Sequence, residues 1–209
     1  QAETIWKKAF HWIKEPQVIF LIEQIALFIL SYANLLMSIE DVEAALAFFE
    51  REDIQVVFGQ TRSVFTKTSI LYVSANIYYS ASQPQQAIQQ MEEAIALLPQ
   101  VFGRKAWKSN FYHNYAVMLT IVDINRSIEA FEKSLELIED SEDYQSIVHT
   151  ISNLISLKME VNAPDEAKAM LKRLVSLFEK SDELATPFRV YAVTVNAISL
   201  EEQQIARQY

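Results

Sequence analysis

Apolar residues recur along this chain with the three- and four-residue spacing of amphipathic helices, and the breaks between periodic stretches are short and polar. The pattern predicts a first helix from about Ala2 to Lys14, ending before Pro16. Paired helices follow at about 17–38 and 41–51, 60–81 and 83–98, 104–121 and 124–138, and 143–161 and 164–179. A last pair is expected at about 187–199 and 201–208, opened by Thr186-Pro187. Pro84 and Pro164 each stand at the first turn of a second helix, where the missing N–H costs nothing. Ser82-Gln83-Pro84-Gln85 and Asn162-Ala163-Pro164-Asp165 read as N-caps with a polar residue three later.

The pattern repeats. Ala87, Ser127 and Ala167 are spaced by 40 and 40, and the positions after them correspond. Ile88, Ile128 and Lys168 come next, then Met91, Phe131 and Leu171, then Ala94, Ser134 and Leu174. Small residues stand where two helices cross, and large apolar ones follow a turn later. No long linker or low-complexity run interrupts the chain, so 1–209 reads as one domain of about five helix–turn–helix pairs.

Composition sharpens this reading. There are two glycines, Gly59 and Gly103, where average usage gives roughly fourteen. Such poverty excludes β-sandwiches and glycine-rich phosphate loops. The absence of cysteine removes disulfides and thiolate chemistry and suits a cytoplasmic setting. A formal charge of -9 repels nucleic-acid phosphate, so no direct nucleic-acid contact is expected. Val18 to Met37 has the length of a membrane span, but Glu23, Gln24, Ser31 and Asn34 interrupt it, and the expectation is a buried helix. The chain begins at Gln1, which leaves room for a preceding domain.

Leu71, Ala75, Tyr78, Ala87, Met91, Ala94 and Pro99 follow the large–small–aromatic pattern of one repeat family, at its spacing. The chain therefore resembles tetratricopeptide repeats, though the period of 40 exceeds their usual 34. The resemblance implies an all-α, right-handed α-solenoid whose first helices line a concave groove. Other α-solenoid pairs, such as HEAT-like ones, are the alternative.

Five asparagines sit within first helices: Asn34, Asn76, Asn114, Asn153 and Asn196, spaced by 42, 38, 39 and 43. Asparagine is a mediocre helix former, and its amide offers the donor and acceptor that an extended peptide backbone needs. The expected binding set is Tyr72, Asn76, Tyr79, His113, Asn114, Asn153, Ser156 and Asn196. Otherwise these amides bridge neighbouring helices or face water. An asparagine-lined groove resembles the tetratricopeptide domains of Gram-positive peptide-sensing regulators (Rap, PlcR and Rgg types), which implies a peptide or partner-protein ligand, a role in quorum sensing and transcription regulation, and room for a homodimer. A general protein–protein scaffold is the second reading.

Nothing points to catalysis, a metal or a cofactor. His11, His113 and His149 are the only histidines, and none has a helical His or Glu-x-x-His partner. His113 and His149 fall where they face one groove from adjacent repeats. Arg104, Lys105 and Lys108 form a basic cluster that reads as a solvated helix start.

Overall fold

A computed structural model describes residues 21–180 together with Val193, Asn196 and Ala197. The helix expected at Ala2–Lys14 and most of the last pair lie outside these residues. The described residues are helices joined by short connections, with no strand among them. The chain divides into two compact units between Gly103 and Arg104.

In the first unit α1 (Ile22–Ser38), α2 (Val42–Phe49), α3 (Glu52–Gln60), α4 (Val64–Ser80) and α5 (Pro84–Leu97) follow in order, and a single 3-10 turn covers Leu98–Gln100. The helix expected over 41–51 stops at Phe49, and the separate α3 takes up the chain that was read as a connection. Its Ile54, Val57 and Phe58 lie at i, i+3 and i+4 and join a core with Ile29, Ala33 and Phe49. Asp41 caps α2 by accepting from Ala44 N, and Ser63 caps α4 by accepting from Thr66 N. Glu23 of α1 closes the same helix start: its Oε1 accepts from the backbone N–H groups of Arg62 at 2.7 Å and Ser63 at 3.0 Å. Burial pushes the Glu23 carboxyl up, but hydrogen bonds from Thr66, Arg62 and Ser63 outweigh it and hold it below the usual value.

In the second unit α6 (Lys105–Leu119) pairs with α7 (Ile124–Ile138), α8 (Tyr144–Glu160) pairs with α9 (Pro164–Lys180), and α7 packs on α8. The forty-residue register is a packing register. Ala87, Ser127 and Ala167 are all 0% exposed, and Met91, Phe131 and Leu171 are at most 1% exposed. Ala94, Ser134 and Leu174 are buried as well. Serine fits where alanine does because the Ser127 hydroxyl donates to the Ala116 carbonyl at 2.8 Å. Lys158, near the end of α8, reaches Glu132 of α7 at 2.8 Å and Glu166 of α9 at 2.7 Å, tying three helices.

Three turns repeat one backbone design. Glu40, Ser82 and Asn162 have φ of 61°, 60° and 59°, in the left-handed region. Around each, successive N–H groups return to the last carbonyls of the preceding helix, as in Asp41 to Leu36, Gln83 to Tyr78 and Ala163 to Lys158. Ser82 and Asn162 therefore end the first helix of a pair and do not cap the second. In the second position Gln83 precedes α5 with no side-chain cap, and Pro84 removes one of the N–H groups a cap would serve.

Candidate functional site

In the first unit, α4 carries Tyr72, Asn76 and Tyr79, all half-buried. The Asn76 amide donates to the carbonyl of Tyr72, one turn back, at 3.0 Å. Burial raises the pKa of the Tyr72 hydroxyl, and a hydrogen bond with the Asn76 side chain offsets part of that rise. Asn34, on α1, is exposed.

The second unit gathers more. α6 places Ser109 and His113 one turn apart, α7 contributes Ser134, and α8 supplies Ser146, His149 and Thr150 at i, i+3 and i+4. With Asn110 they line a cavity of about 120 Å³. Ser109 is 2% exposed, and its hydroxyl lies 2.9 Å from the Ser134 carbonyl and 2.8 Å from the Ser134 hydroxyl. His113 Nδ1 lies 3.1 Å from the hydroxyl of the buried Thr150, and its ring meets Phe131 edge-on with centroids 5.1 Å apart. Burial pushes the His113 imidazole below its ordinary pKa, and the charge of His149 adds to the effect. Two histidines expected to share a groove thus share a cavity.

Asn114 neighbours His113 on α6 and lies one turn beyond Asn110; Asn153 lies one turn beyond His149 on α8. Both are half-buried. Asn153 makes no side-chain hydrogen bond among the described residues. Ser156 is exposed, and its hydroxyl donates back to the Ser152 carbonyl at 3.2 Å. Asn196 is 5% exposed and donates to the Ser152 hydroxyl at 3.1 Å, so this amide ties its helix to α8. The sequence reading missed Ser109, Ser146 and Thr150. Their signal was Ser109 and Ser146, each one turn before a histidine, and Thr150 directly after His149. Among the described residues no group of three or more histidines and carboxylates is placed to hold a metal ion. No helix there is long and apolar enough to cross a membrane.

Solved structures set this backbone in context. A kinesin-light-chain-type protein of Podospora anserina with nearly identical TPR-like repeats (its Q17M form) superposes with a TM-score of 0.75, at 15% identity, over 90% of this chain and 92% of that one. The fold is a TPR-like α-solenoid. The same repeat backbone appears in RapI in its apo form, with a TM-score of 0.71 at 16% identity over 97% of this chain and 57% of that one. NprR, solved in complex with its cognate peptide NprX, gives 0.59 at 16% identity over 99% of this chain and 75% of that one. No family profile matches the chain, and no curated protein matches it in sequence. In this TPR-like chain α6 and α8 are the first helices of successive pairs, and the cavity lies between them and α7.

Proposed function

We propose that the chain is a peptide-binding helical-repeat module that acts, over 1–209, as the ligand-sensing domain of a cytoplasmic bacterial regulator. The observation that carries this reading is the polar strip on α6 and α8: the two-histidine cavity, extended one turn along each helix by Asn114 and Asn153. An extended peptide presents one N–H and one C=O per residue, and amides at successive first helices answer both without selecting side chains. NprR supports the reading, since its solved form holds its cognate peptide on a similar backbone. The module has no catalytic task here; it binds. A general scaffold that docks a partner protein's segment is the second reading, and the same amides serve it.

The test is to pass a random heptapeptide pool over the immobilised chain and sequence what is retained. Retained peptides titrated against Asn153→Ala and Asn114→Ala should bind about threefold to tenfold more weakly, the loss of one hydrogen bond. Melting of Asn153→Ala should be unchanged, because its amide supports no neighbour among the described residues. Retention that is indifferent to both substitutions overturns the strip as the binding surface.

A further inference from the structure

The cavity of the second unit is notable for what it lacks. The chain has 27 acidic residues against 18 basic, yet among the described residues no carboxylate, lysine or arginine lines this cavity. Its walls are four hydroxyls, the Asn110 amide, and the imidazoles of His113 and His149. Every one of these side chains can donate a hydrogen bond. The wall is also fixed in advance: Ser109 is held against Ser134, and His113 against Thr150. Either atom of the His113 Nδ1–Thr150 pair can donate, and the contact holds the ring in place in both tautomers.

We propose that this cavity takes a carboxylate of the bound peptide, with His113 and His149 sharing one added proton opposite it. The proposal rests on the peptide-binding reading and names the chemical group that reading requires at this point. The charge count decides the class of guest. α6 and α8 each bring one titratable group to the lining, and α7 brings none. Burial and the charge of His149 both oppose protonation of His113, so the empty pair resists a second positive charge. One imidazolium matches the single negative charge of a carboxylate. A phosphate dianion calls for fixed guanidinium or ammonium groups, which the lining does not contain. A neutral amide gains nothing from the proton the pair can take up.

Three histidines make the test direct. Their ring proton resonances, assigned with His11→Gln, His113→Gln and His149→Gln, are followed against pH in the whole chain. Sodium acetate is the probe and acetamide its neutral control. Acetate should raise the His113 and His149 midpoints by about one pH unit, as an opposite charge nearby does, and leave His11 unmoved; acetamide should move none. His149→Gln should weaken acetate about tenfold or more, the loss of a charged hydrogen bond. Equal movement of all three histidines, or of none, overturns the proposal. Peptides retained from the pool then identify the source, as free acids, as C-terminal amides, and as amides with an internal aspartate. Loss of binding in the plain amide alone points to a side-chain carboxylate; loss in both amides points to the terminus. If acid and amide forms bind equally and the histidines stay still, the carboxylate site falls and peptide binding stands. If acetate acts but no peptide is retained, the peptide reading falls instead.

Discussion

His113 sits where three demands meet. Its ring packs edge-on against Phe131, its Nδ1 pairs with Thr150, and burial disfavours its charge. A base whose folded-state pKa is depressed contributes stability that is fully present above its unfolded value, near 6.5, and is lost as pH falls from there through the folded value. His113→Gln should therefore be less stable than the parent at pH 8, by about 1 kcal/mol for the lost ring contact and hydrogen bond. The gap should narrow as pH is lowered to 5, since only the parent carries the burial penalty of protonation. Thermal melts of both chains across that range check it; a gap independent of pH shows that the ring is not protonated at such cost. Asparagines were legible at this scale only as candidates. Spacing put Asn153 one turn beyond His149 on α8, but it did not reveal that Asn76 bonds its own helix or that Asn196 is buried against Ser152. A helical period fixes the face a residue occupies, not which neighbour reaches it first.

At the scale of elements, the small residues at forty-residue spacing fix how closely helices approach. Ala87 and Ala167 have no exposed surface. Leucine at either site adds three carbons to a filled crossing, so Ala87→Leu and Ala167→Leu should each cost about 1–3 kcal/mol in denaturant unfolding. Unchanged midpoints for both would mean the repeat register is misplaced. Helix limits were largely readable, and α7 spans 124–138 as the pattern predicted. The second helix of the first pair was not: α2 covers 42–49, and a separate α3 covers 52–60, where no helix was expected although the acidic start Glu52-Asp53 suits a helix N-terminus. Ser82 and Asn162 were misread as caps because serine and asparagine serve both helix ends. Only the backbone angle separates the two uses.

For the whole molecule, charge governs who arrives. With a net -9, the chain attracts cationic partners over distances where specific contacts do not yet act. Peptides retained from a random pool should be enriched in lysine and arginine, and their association rates should fall as ionic strength rises from 0.02 to 0.3 M, roughly from a 20 Å to a 5 Å screening length. Stopped-flow association at several salt concentrations measures this; salt-independent rates would leave the acidic surface without a steering role. The carboxylate cavity then acts at contact range, where the overall field no longer decides. Glu40, Ser82 and Asn162 share a backbone angle and a bonding pattern but no residue type. The bend is written in main-chain hydrogen bonds, so a residue other than glycine can stand there at a cost of only about 1–2 kcal/mol. The corner belongs to the main chain, and the side chain that stands on it is a passenger.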